Sequence, residues 1–416
     1  MRIVILCLNI LILGAHLTFS QTDTLKLSLP EAEERFLQYN LILLAEHYRV
    51  DKAEAEAIQA KTMENPTISF EQNIYNGITH KYFDFGKHGQ QMVDIEQVIN
   101  LAGQRNKQVK MERANAQIAR YEYEELVRQL KLELKTEMIM FHYISKSLII
   151  YAQEIEQIER LLKVFEKQFD EGHISLLEKS RLQAMLFLLK KEHKELVHEQ
   201  LTLQHNLAVF LNIPENIYIL PVLDEFIEKQ LEFRLPSFTD MEKQLPNRSD
   251  IKIAETAILS AEENLKWQKS MRAPEFSIKG SYDRQGNFMD NYFGIGFTIG
   301  IPVFNRNQGN VKIARYEQLQ NQVQKEYTLN KARNELSAIY RKIEMSISLY
   351  QDFDVEMEKS FALILNGINE NFQKRNISIL EFIDYYETYK DVLINLYDTE
   401  KELLLMLEEL NYIMGS

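Results

Sequence analysis

Two kinds of hydrophobic pattern run along this chain, and each predicts a different element. From Gln104 to Glu171 apolar residues return every three or four positions, as in Ile155, Ile158, Leu161, Phe165 and Phe169, the spacing of a single buried helix face. That stretch holds neither proline nor glycine, and nor does Asn310 to Asn366; those are the residues that interrupt helices. Proline is missing between Pro66 and Pro214 and again after Pro302. Two continuous amphipathic rods are predicted, at about 104–171 and about 307–374. A helix of about 68 residues is roughly 100 Å long. Tunnels and coiled-coil spacers use such lengths, whereas ordinary globular domains do not.

Ahead of each rod the period changes to two. Thr67 to Tyr75 is followed by a polar loop with Gly77, Gly86 and Gly89, then by Met92 to Ile99; this predicts a hairpin over about 67–100. Glu275 to Tyr282 leads through Gly286 to Tyr292-Phe293-Gly294-Ile295-Gly296-Phe297-Thr298-Ile299-Gly300-Ile301, a second hairpin over about 275–303. The last run alternates large apolar with small residues, as a strand with one greasy face does. Each segment has about the 9–11 residues of a tilted transmembrane strand.

The chain says this twice. Ala53-Glu54, Met63, Pro66 and Phe70 recur at constant offset as Ala261-Glu262, Met271, Pro274 and Ile278. Farther on, Phe169-x-x-Gly172-x-Ile174-Ser175-x-Leu177-Glu178 recurs as Phe372-x-x-Arg375-x-Ile377-Ser378-x-Leu380-Glu381. Both copies read helix, hairpin, long helix, turn, helix, joined by a segment containing Pro214, Pro221, Pro236 and Pro246. Four strands cannot close a barrel, and lipid does not tolerate open sheet edges. If these strands span a membrane, several chains must share one barrel.

Arg2, the apolar run Ile3 to Ala15 and Thr18-Phe19-Ser20 predict a secretory signal peptide at 1–20, cut after Ser20. The single cysteine, Cys7, lies inside it behind Leu6, so neither a disulfide nor a lipid anchor is expected. No later run is long and apolar enough for a membrane-spanning helix. The net charge of −13 argues against nucleic acid and anionic membrane surfaces as partners. It is also what Glu-rich solvated helix faces produce.

Taken together, the duplicated plan, Asn65-Pro66, Glu96-Gln97, Gly103-Gln104-Arg105 and Ile301-Pro302-Val303-Phe304-Asn305-Arg306-Asn307-Gln308-Gly309 resemble the TolC family of outer-membrane efflux channels. The last string is similar to the heavy-metal branch, the CzcC- and CusC-like channels. The resemblance implies a mainly α fold with a small β part. In that fold a homotrimer builds an outer-membrane β-barrel from four strands per chain, continued by a long periplasmic α-helical barrel. It implies an outer-membrane location, a first repeat at 21–212, a connector and equatorial segment at 213–250, and a second repeat at 251–416. It also implies a passive exit duct for a tripartite pump, with a periplasmic adaptor (membrane fusion) protein, an inner-membrane resistance-nodulation-division transporter and outer-membrane lipid as partners. The cargo it implies is heavy-metal cations.

The resemblance places Gly172, His173, Ile174 and Ser175, and Arg375, Asn376, Ile377 and Ser378, at periplasmic tips that contact the adaptor. From the residues alone they are turns: Gly172 suits a tight reversal, and Ser175 and Ser378 suit helix caps. Arg375 departs from the glycine the family prefers. Glu381 and Asp384 share a helix face; by resemblance they line the periplasmic aperture, and by themselves they are a solvated pair.

No phosphate loop, catalytic triad or paired acid and base is present, so neither an enzyme nor a cofactor is expected. His193 and His198 are not spaced as zinc ligands on one helix face, and no metal site is expected. Tyr75, Tyr82, Phe83, Phe85, Tyr282, Tyr292 and Phe293 read either as an interfacial girdle or as contacts between protomers. Drug efflux and type I protein secretion use the same architecture. A periplasmic coiled-coil adaptor or scaffold would share the rods, but would have no reason for the alternation from Tyr292 to Ile301.

Overall fold

The computed structural model describes residues 23–232, 234–285, 289–351, 363–364, 367–372, 374 and 376–415. The expected signal peptide with Cys7, the Gly286 turn, Arg375 and part of the second rod lie outside them.

The first rod is one helix, α3 (Gln104–Asp170). It returns as α4 (Leu176–Phe210). Before it stand α1 (Leu29–Tyr39) and α2 (Leu41–Gln59). In the second repeat α7 (Ser249–Ser270) precedes the hairpin, α8 (Gln308–Gln351) is the longest described part of the second rod, and α9 (Ile379–Met414) returns.

The returning helices stack end to end on the entering ones. Asn40, the N-cap of α2, accepts from Ile42 N and Leu43 N, while its Nδ2 donates to Phe210 O at the end of α4, each at 3.0 Å. Arg248, at the start of α7, donates from Nη1 to Ile413 O near the end of α9, at 3.3 Å. Arg248 is 3 % exposed and is neutralised by Asp250 at 2.8 Å and Glu335 at 3.3 Å. A buried guanidinium needs such partners. Its pairing also spans three helices, so it fixes the second stack.

The three larger apolar cores among the described residues are strung along the helices. The central one places Leu134, Met138, Phe141 and Tyr143 of α3 against Phe36 of α1, Leu203 and Leu207 of α4, and Ile219 of the connector. There β1 (Asp23–Ser28) and β6 (Ile217–Val222) pair in parallel, Leu25 opposite Ile219. With α5 (Asp224–Leu231) they wrap the midpoint of the rod. The sequence patterns did not reveal this strand pair. A second core joins α8 to α9 through Leu336, Ile339, Leu403 and Leu407, with α6 (Phe238–Glu242) contributing Met241. The third lies at the far end, where Ile158 and Phe165 of α3, Leu182 of α4, and Phe382 and Tyr386 of α9 meet.

At the opposite end is a four-stranded antiparallel sheet in the order β2 (Thr67–Gln72), β5 (Gln91–Ile99), β7 (Glu275–Gln285), β8 (Asp290–Gly300). The loop between β2 and β5 holds a further short hairpin, β3 (Tyr75–Asn76) with β4 (Lys81–Tyr82).

Candidate functional site

Register sorts the sheet into two faces, because residues directly opposite in an antiparallel pair project to the same side. Ile68 pairs Ile95, Phe70 pairs Val93, Ile278 pairs Phe297, Phe276 pairs Ile299 and Tyr282 pairs Phe293. Ile95 sits opposite Gly280, which in turn sits opposite Ile295. One face is therefore almost wholly apolar. It is also uncovered: Ile68, Phe70, Ile295 and Phe297 are all at least 62 % exposed. The other face carries Ser69, Asp94, Glu96, Ser277, Lys279 and Ser281 across three strands, and Gly294, Gly296 and Thr298 on β8. On it Lys279 Nζ lies 2.8 Å from Asp94, and Ser277 Oγ donates to Glu96. A sheet that is apolar on one side and hydrated on the other suits a barrel wall between lipid and a water-filled lumen.

The outer loop is built around Asp84, which is 7 % exposed. Its carboxylate accepts from Thr79 Oγ1 at 2.7 Å, Gly86 N at 2.8 Å and Asn76 Nδ2 at 3.3 Å. The Thr79 hydroxyl, then Gly86 N, hold the Asp84 carboxyl below the usual carboxylate range. Gly89 packs against this loop so closely that a Cβ there would lie 1.5 Å from Asp84 O. Tyr75, Tyr82, Phe83 and Phe85 project outward from it and remain exposed, while the Tyr282 and Phe293 rings meet at 4.8 Å on the apolar face of the sheet.

At the far end the two reversals share a construction. After α3, His173 N donates to Gln168 O at 2.8 Å and Gly172 N to Phe169 O at 2.9 Å. This pair of bonds closes a helix through a left-handed residue; Gly172 has φ +76°. The second reversal repeats the bond that spans five residues, Asn376 N to Asn371 O at 2.8 Å. Ser175 and Ser378 then start α4 and α9 with capping boxes. Ser175 N donates to Glu178 Oε2 at 2.7 Å and Glu178 N to Ser175 Oγ at 3.2 Å; Ser378 and Glu381 repeat both distances. Each box satisfies donors that a helix start leaves unpaired. Leu176, Leu177 and Leu380 beside these caps are at least 57 % exposed, and Ile174 and Ile377 pack on the end core.

Glu381 therefore does structural work that its spacing from Asp384 did not reveal. Both residues lie on the exposed side of α9, opposite the buried Phe382 and Tyr386. The Ser378 backbone N–H, then its hydroxyl, hold the Glu381 carboxyl below its ordinary range. Among the described residues no group of three or more His, Cys, Asp or Glu side chains is placed to hold a metal.

A sheet with the two faces of a barrel wall, carried on stacked helices long enough to cross an aqueous compartment, defines a membrane channel component. Residues 34–212 match the family model described as Outer membrane efflux protein. The same architecture recurs in solved structures. CusC superposes with a TM-score of 0.75 at 17 % identity, over 93 % of this chain and 92 % of that one. The Campylobacter jejuni CmeC outer membrane channel gives 0.73 at 13 %, over 93 % and 85 %. The open state of the Neisseria gonorrhoeae MtrE outer membrane channel gives 0.71 at 15 %, over 93 % and 89 %. A search of curated proteins gives no match. The outer membrane efflux protein model thus matches the first repeat, and the chain as a whole shares the fold of these channels.

Proposed function

We propose that this chain is the passive exit duct of a tripartite efflux system and works as a homotrimer passing heavy-metal cations outward. The observation that carries the trimer is the sheet: four strands with one apolar and one hydrated face, and with β2 and β8 left as edges. Three copies joined β8 to β2 remove every edge, which lipid requires. The exposed leucines beside the two capped turns support docking of a periplasmic adaptor at Gly172, His173, Ile174 and Ser175 and at Arg375, Asn376, Ile377 and Ser378. That adaptor would couple the duct to an inner-membrane resistance-nodulation-division transporter.

For the cargo, the support is the string Ile301 to Gly309, similar to the heavy-metal branch, together with the acidic pair Glu381 and Asp384. A threefold axis multiplies that pair into a ring of carboxylates, which favours cations. Bilayer recordings test the reading: the purified channel is expected to be cation-selective and to be blocked by divalent or trivalent ions. The double variant Glu381→Gln, Asp384→Asn should lose both properties while still assembling, since glutamine also serves at the third position of a capping box. Block of the parent channel should weaken on acidification. For Glu381 that loss comes only below the usual carboxylate range, because the cap depresses its pKa. Unchanged selectivity and block in the double variant would place this face outside the lumen.

A further inference from the structure

Glu154 interrupts the apolar stripe of α3 between Tyr151 and Ile158. It is 2 % exposed, and neither carboxylate oxygen has a hydrogen-bond partner. An ionised carboxylate in that position is costly. The groups around it are few and can be named by element. On α3 these are Tyr151 and Gln157, and on α4 there is Glu192. On α9 they are Tyr386, Glu387, Tyr389, Lys390 and Asp391. Tyr386 does not donate to Glu154; its hydroxyl is taken by Gln157 Oε1. Among the described residues the cation of this group is Lys390, and it is already committed, 3.2 Å from Glu192 and 3.6 Å from Asp391. A cavity of about 50 Å³ lies beside Glu154, lined by Met185, Leu189, Glu192, Tyr386 and Lys390. That is room for a water, which can accept the proton.

We propose that Glu154 is a proton-operated latch between the two helical hairpins. Protonated, it lets α9 lie against α3 and α4; ionised, it adds an enclosed negative charge beside Glu192, Glu387 and Asp391 and loosens α9 from the end core. Burial pushes the Glu154 carboxyl up to about 8; Lys390 opposes the shift, and Glu192 and Asp391 add to it. The sign follows from proton linkage. The packed state holds the proton more tightly than the loosened one, so packing is strongest at low pH. It weakens as pH rises from the ordinary carboxylate range through about 8, and is level above that.

The test is amide hydrogen exchange over the start of α9 in the detergent-extracted protein, wild type against Glu154→Gln, at pH 6 and pH 9. Comparing the two proteins at each pH removes the intrinsic pH dependence of exchange. The opening equilibrium of the wild type, normalised to the glutamine variant, should rise roughly a hundredfold between the two pH values. Glu192→Gln should keep most of that rise. An unchanged ratio overturns the latch. If Glu154→Gln does not assemble, infrared titration of the wild-type protein decides the matter: a carboxyl band lost with a midpoint near pH 8 supports the proposal, and no carboxyl titrating above pH 7 overturns it. Neither readout depends on the pump, so this proposal can fail while the exit-duct reading stands.

Discussion

Ile295→Arg is expected to prevent membrane assembly, while Thr298→Arg is tolerated. Ile295 is 91 % exposed at the middle of β8, on the face it shares with Ile68, Phe70, Val93, Ile95 and Phe297. With lipid against that face, an arginine near the midplane costs about 2–4 kcal/mol. Three copies per barrel multiply the cost, which becomes comparable with the marginal stability of an ordinary fold. Thr298 lies opposite Ser277 on the hydrated face, among Gly294 and Gly296, where a charge stays in water. The amount of cross-linked oligomer in membrane fractions measures both. Equal assembly of the two variants would mean that the faces of the sheet are assigned the wrong way round.

Gly172→Trp should leave the assembled channel intact and reduce efflux to background. A Cβ at Gly172 meets no other atom within 4 Å, so the side chain has room. The cost is the left-handed backbone, φ +76°, about 1–2 kcal/mol for a residue with a Cβ. That strain is confined to a turn at the opposite end of the molecule from the sheet. What changes is the outer surface of the tip, where a large ring would stand beside Leu176 and Leu177. Resistance in a host carrying the complete pump is the readout, with oligomer content as control. Full resistance alongside normal oligomer would reduce Gly172 to a turn residue.

The rods and hairpins could be read in the sequence because each has a period of its own. Ile155 to Phe169 repeats as a helix packed on one side, and Phe293 to Ile301 alternates as a strand exposed to two solvents. The β1–β6 pair could not be read in this way. Leu25 and Ile219 are neighbours only after α1, α2, the first hairpin, α3 and α4 have folded between them, and Pro221 inside β6 argues locally against a strand. The caps were half legible. Ser175 and Ser378 announced helix starts, yet Glu178 and Glu381 three residues on are the other half of each box, and the family resemblance drew attention to Glu381 only as an aperture residue. Glu154 carries no signal in sequence: a glutamate on a Glu-rich helix reads as solvated until Tyr386 and Lys390, more than two hundred positions away, are seen to cover it.

The central claim, that several copies of this chain share one outer-membrane barrel, is tested most directly by counting subunits. Outer-membrane fractions separated by density, extracted in detergent and cross-linked or weighed intact, should yield a species of three chains. A soluble monomer or dimer, recovered away from the outer membrane, would contradict the account.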